Sequence, residues 1–293
     1  MFDQPTNDQP PAPKPKRIHP LEASIPSQPV TPPPSEGSQR GTLHIRVVKP
    51  YITYALIGIN IFIFIMAFYI LTPQQANDIY RWGANNHREV LQGGQYHRLL
   101  SAMFLHASIS HVILNMYSLY IIGATIERFF GYLRFLAVYF LGGLAGSVLS
   151  VILNPPLVTS VGASGAIFAI FGAQYIYLYK HRKLLGEMGK QQMRQLLIIG
   201  GLNFAVGIIS TFNFEGGVSI DNWGHLGGLI GGLIVAWFIS PLFLLQKHPT
   251  NENAFEVVDV NPLENHYTNL LLYGSGLMVI IIIGTFFARG GFG

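Results

Sequence analysis

Residues 51–71 read YITYALIGINIFIFIMAFYIL, from Tyr51 to Leu71 without a charged side chain. About 20 mostly apolar residues in a helix span the ~30 Å hydrocarbon core of a bilayer, so this run predicts a transmembrane helix. Six further runs share its character: Phe104–Ile126, Leu133–Leu153, Ala163–Tyr179, Leu196–Phe214, Trp223–Leu245 and Leu270–Phe287. Composition points to the same solvent. Half of the 293 residues are hydrophobic and only 11% are charged, whereas soluble globular chains are about a quarter charged. Thirty-two glycines would weaken water-exposed helices, but between membrane helices they let backbones approach closely. There is no cysteine, which excludes disulfides, iron–sulfur clusters and thiolate-zinc sites.

The fold predicted is all-α: a polytopic membrane bundle with a six-helix core over 51–245 and a seventh helix over 270–293. Residues 1–50 are rich in Pro, Ser and Gln, contain no apolar core, and read as a disordered tail without a cleavable signal peptide. Residues 246–269 read as an acidic linker carrying Glu252, Glu256, Asp259 and Glu264. Lys and Arg concentrate on the cytoplasmic side of membrane proteins. With the N-terminus inside, fourteen of the eighteen Lys and Arg residues fall inside and four, Arg81, Arg88, Arg98 and Arg289, fall outside. The N-terminus is therefore expected in the cytoplasm and the C-terminus outside. The long first external connection, about 72–103, contains Trp82, Tyr96 and Arg98 and suits a segment lying at the membrane interface.

Polar residues within apolar runs are expensive in lipid and mark where function is to be sought. Ser164 lies in Gly162-Ala163-Ser164-Gly165, just before an apolar run. That position is near a helix N-terminus, where free N–H groups and the macrodipole favour the negative charge formed in acyl transfer. Alone, the tetrapeptide is better explained by small-residue helix packing. His225, near the start of the sixth run, strengthens the chemical reading. It shares a helical face with Gly228 and Gly232, while Gly165, Ala169 and Gly172 form a small-residue face beside Ser164. If those faces meet, serine and imidazole approach as nucleophile and base. Both runs start on the same side of the membrane, so the two residues lie at similar depth. His111 and Asn115, four residues apart, share one face of the second run and could donate to an oxyanion. On a continuous helix His106 would point roughly 140° away from His111, which favours a structural role for it. No His-Glu-x-x-His pattern occurs, and no metal site is expected.

These motifs, together with others along the chain, resemble the rhomboid intramembrane serine proteases over roughly Ile52–Leu244. Gly94-Gln95-Tyr96-His97-Arg98 resembles that family's first-loop motif. Phe104-Leu105-His106, His111 and Asn115-Met116 resemble its second-helix motif, and Gly123, Glu127 and Gly131 the helix end that follows. Gly162-Ala163-Ser164-Gly165 and Gly224-His225-Leu226-Gly227-Gly228 resemble the nucleophile and base motifs. The resemblance implies a Ser164–His225 dyad without a third carboxylate, although Asp221 stands one turn before His225. It implies an oxyanion hole of Asn115, His111 and the Ser164 N–H, with Phe168 packed on the His225 ring and His106 bracing the first loop. Arg98, Glu127, Gly162, Gly165 and Gly228 are expected as structural residues near the site.

Further, the resemblance implies cleavage of single-pass membrane proteins, with lipid as the other partner, no nucleic acid and no cofactor. Tyr96 departs from the family, which commonly has Trp there, and the seventh helix looks like the six-plus-one variant. Without an organelle signal the chain is expected in the plasma membrane, with the site opening outward. Two rivals remain. A non-catalytic relative that binds membrane clients typically lacks the serine or histidine, and both are present. A transporter would show internal repeats or ionisable groups along a path, and the polar residues instead gather at one depth.

Overall fold

In the computed structural model the described residues are 47–212, 220–248 and 251–290. The expected tail, apart from 47–50, and Phe214 at the end of the fifth run lie outside them. The architecture is an all-α polytopic membrane bundle. Helix α1 (Tyr51–Ile65) continues through a π-helical turn, Met66–Ile70. The first long connection holds α2 (Pro73–Gly83), a short strand β1 (Asn85–Asn86) and α3 (Arg98–Ser101). Next come α4 (Ile109–Ser118), a second π turn over Leu119–Gly123, and α5 (Ala124–Phe130). Helix α6 (Tyr132–Leu153), strand β2 (Thr159–Ser160), α7 (Ser164–Lys180), α8 (Arg182–Phe212) and α9 (Asn222–Ile239) follow. Strands β3 (Phe243–His248) and β4 (Asn251–Asp259) precede α10 (Tyr267–Ala288).

Among the described residues, five helical stretches are long and apolar enough to cross a membrane: Tyr51–Ile70, Ile109–Phe130, Tyr132–Leu153, Asn222–Ile239 and Leu263–Ala288. The fourth and fifth expected runs are helical too, with different limits. Helix α7 has 17 residues, or ~26 Å at 1.5 Å each, slightly less than the hydrocarbon thickness. Helix α8 starts at Arg182 rather than Leu196 and breaks at Gly186, whose φ of 52° and ψ of −133° lie outside helical geometry. The sixth run is shorter than expected. Pro241, which lacks the N–H a helix needs, follows directly after Ser240, the C-cap of α9.

Beyond it the chain forms an antiparallel hairpin, Phe243 opposite Asp259 and Leu244 opposite Val258, where the sequence suggested only a linker. Asp259 secures its base. It pairs with Arg134 at 2.7 Å and accepts the N–H groups of Leu242 and Asn261. The Asn261 amide donates in turn to the Phe238 and Ser240 carbonyls at the end of α9. His181, the C-cap of α7, bonds the Tyr177 carbonyl through Nδ1 and accepts the Phe243 N–H at Nε2.

At the centre α6, α7 and α9 pack backbone to backbone. A Cβ on Gly228 would lie 2.0 Å from the Gly165 carbonyl oxygen, and one on Gly232 2.0 Å from that of Ala169. On α6 a Cβ at Gly146 would lie 2.6 Å from the Gly224 carbonyl oxygen, and one at Gly142 2.2 Å from the Ala169 Cβ. Close approach of this kind is what holds membrane helices together, since apolar side chains gain little by leaving lipid. The faces expected to meet do meet, and α6 is a third partner that the pairwise reading left out.

Candidate active site

Helix α7 begins at Ser164 with no side chain capping it, because Ala163 occupies the cap. The first N–H groups of a helix have no internal partner, so those of Ser164 and its neighbours are available to a ligand. Gly162 sets the approach to this helix start. Its φ is 128°, a region that side-chain-bearing residues rarely enter. A Cβ there would stand 2.7 Å from His111 Cε1 and Nε2 and 3.4 Å from Asn115 Nδ2. The glycine thus lets the oxyanion-candidate side chains of α4 press against the turn that delivers Ser164. Asn115 is 7% exposed, and its Nδ2 is buried without an acceptor among the described residues.

His225 enters from the second turn of α9. Its ring stacks on Phe168 of α7 with centroids 4.4 Å apart and planes 21° from parallel, and Phe204 of α8 meets it edge-on at 6.5 Å. His225 is 9% exposed, and among the described residues its Nδ1 has no hydrogen-bond partner, so no carboxylate there orients the ring. Asp221 is occupied elsewhere: it caps α9 by accepting the Gly224 N–H at 2.9 Å and takes further bonds from Asn154 and Ser160. Ser164, His225, His111 and Asn115 line one cavity of about 1180 Å³. Among the described residues no hydrogen bond joins the Ser164 hydroxyl to the His225 ring, and catalytic contacts of this kind often tighten only around substrate.

Two expectations need correction. His106 does not point away from His111. The chain is non-helical from Leu105 to Ser108, so helical angles do not apply, and the two rings meet edge to face at 5.1 Å. The hydrogen bond to the first connection comes from the His106 carbonyl, which accepts the Tyr80 hydroxyl, while among the described residues its ring nitrogens have no partner. Glu127 is not near the cavity. It is fully buried at the opposite end of the bundle, where it caps α1 by accepting the N–H groups of Ile52 (2.8 Å) and Thr53 (2.7 Å). There the helix dipole and three donors, the Thr53 hydroxyl included, satisfy a charge that lipid would penalise.

Tyr96 of the first connection is 42% exposed. Its hydroxyl meets Thr285 Oγ1 of α10 at 3.2 Å. Arg98 works within the connection, donating to the Arg81 and Ala84 carbonyls at 2.5 and 2.8 Å and to Gln95 Oε1. Asn154 and Ser160 were not anticipated; nothing in their local sequence marks them, whereas an Asp ahead of an apolar run is a readable helix-cap signal.

With this geometry in view, a family model of the rhomboid domain matches residues 93–242, half of the chain. The chain belongs to the rhomboid family. Over 189 residues this rhomboid is 34% identical to rhomboid protease GluP of Bacillus subtilis (strain 168), covering 64% of this chain and 34% of the relative. Over 157 residues it is 32% identical to RHOMBOID-like protein 6, mitochondrial, of Arabidopsis thaliana, with 54% and 48% coverage. Putative rhomboid protease YdcA of Bacillus subtilis is 33% identical over 144 residues, with 49% and 67% coverage. This rhomboid spans a third to about half of the length of the first relatives. Two of these three relatives are named as proteases, and one as mitochondrial.

Proposed function

We propose that this rhomboid is an intramembrane serine endopeptidase that cleaves single-pass membrane proteins in or near their transmembrane segments. The observation that carries the reading is the convergence at Gly162: an uncapped helix start bearing Ser164, with His111 and Asn115 packed against the glycine that precedes it and His225 lining the same cavity. In this reading Ser164 Oγ attacks the scissile carbonyl carbon. His225 takes the hydroxyl proton, through Nε2 because Nδ1 is buried. The carbonyl oxygen becomes an oxyanion that accepts from the Ser164 N–H, Asn115 Nδ2 and His111. The imidazolium then protonates the departing amine. Water, activated by the same ring, hydrolyses the acyl-enzyme.

Phe168 holds the plane of the ring by stacking, which supplies the orienting part of what a carboxylate does in a triad. The unpartnered Nδ2 of Asn115 supports the oxyanion assignment, since a buried amide donor without an acceptor is costly unless the reaction supplies one. The Lys and Arg distribution supports a cytoplasmic N-terminus and a site opening to the outside of the plasma membrane. No cofactor enters the chemistry.

The test is labelling of the detergent-solubilised full chain with a fluorophosphonate, beside Ser164→Ala and His225→Ala. The expected result is labelling of the wild type and none of either variant. Equal labelling of Ser164→Ala would remove the nucleophile assignment.

A further inference from the structure

One carboxylate outside the proposed dyad ties together the segments that carry it. Asp221 Oδ1 accepts the Gly224 N–H and the Asn154 amide, each at 2.9 Å, and Oδ2 accepts the Ser160 hydroxyl at 2.5 Å. Asn154 is the C-cap of α6. Ser160 lies in β2, four residues before Ser164, and pairs there with Asn85 of β1. Asp221 itself stands four residues before His225. A single side chain therefore spans from the strand that feeds the nucleophile to the helix start that feeds the base.

Local packing is shaped around it. A Cβ on Gly224 would sit 2.5 Å from Asp221 Oδ2, so glycine at that position leaves the carboxylate its place. Capping α9 needs only one oxygen, and serine or threonine would serve as well. The second oxygen and the two loop bonds are surplus to the cap. What they add is a fixed relation between 154–160 and α9.

We propose that Asp221 is a positioning residue, which holds the nucleophile strand against the base helix and thereby sets the separation of Ser164 and His225. The inference rests on the dyad reading above. It also explains why this carboxylate is not a third catalytic member: its oxygens are committed to Gly224, Asn154 and Ser160. Because serine can cap but is too short to span both loop donors, Asp221→Ser separates the two roles. Asparagine keeps one acceptor for Gly224 and Asn154 and can donate its amide to the Ser160 oxygen, so Asp221→Asn is the conservative rescue.

The experiment measures kcat and KM on a tagged single-pass substrate, the rate of fluorophosphonate labelling, and the thermal midpoint of the full chain in detergent. Asp221→Ser and Ser160→Ala are each expected to lower kcat and labelling rate together by roughly ten- to a hundredfold, the scale set by ~1 Å misplacement of reacting groups. KM and the midpoint should stay near wild type, and Asp221→Asn should recover most of the rate. The double variant should be no slower than the worse single one, as expected when both act through one contact. Wild-type kcat in Asp221→Ser, or rate losses that simply follow the fall in midpoint across all variants, would overturn the proposal. Wild-type labelling in Ser164→Ala would instead overturn the dyad, a distinguishable outcome.

Discussion

Gly162 concentrates several constraints at one residue. Its positive φ and the 2.7 Å gap to His111 both exclude a side chain. Gly162→Ala is expected to displace the His111 ring and the Ser164 turn together, lowering kcat on the order of a hundredfold, measured on a tagged substrate at equal protein concentration. Asn115→Ala removes a donor and leaves the backbone in place. Its expected loss is about 10²–10³ in kcat, the range for one oxyanion donor, with little change in KM. A fall confined to KM would assign Asn115 to substrate binding instead.

Among the elements, the contact between α7 and α9 depends on bare backbone. Gly228→Ala would place a methyl group 2.0 Å from the Gly165 carbonyl oxygen and force the helices apart. Overpacking of this kind destabilises by ~1–3 kcal/mol, to be read as a lowered thermal midpoint in detergent. The β3–β4 hairpin carries a pH prediction. Burial pushes the Asp259 carboxyl up, but the Leu242 and Asn261 N–H groups and Arg134 outweigh it and hold the carboxyl below its ordinary value. A carboxylate with a depressed folded value contributes stability above its unfolded value, which is lost as pH falls through the folded one. The hairpin should therefore keep its hydrogen-exchange protection from pH 8 to about 5 and lose it below about 4. Asp259→Asn should remove the acid step.

Across the whole molecule, α10, the first connection and the end of α6 form a second apolar core of Val90, Leu91, Leu99, Val148, Val151 and Ile281. Arg289 Nε reaches the Leu91 carbonyl, and Thr285 meets Tyr96. Thr285→Val combined with Arg289→Gln is expected to raise hydrogen exchange across 88–98 and leave α6 protected. Substrates raise a parallel question, since their helices already satisfy their backbone hydrogen bonds and must unwind before cleavage. Gly or Pro near the cut is expected to speed cleavage, and cleavage rates unchanged on replacing them by Leu would refute that. Much of this protein is legible in one dimension. Apolar run length determines the membrane bundle, and the spacing of Gly165, Ala169, Gly228 and Gly232 determines which faces meet, because helix geometry is periodic. Tertiary structure alone decided the rest: the non-helical Leu105–Ser108 that turns His106 toward His111, the hairpin after Pro241, Glu127 as the cap of α1, and the bonds of Asp221 to Asn154 and Ser160. Those features join residues distant in sequence through single polar atoms, and no periodicity encodes such a meeting.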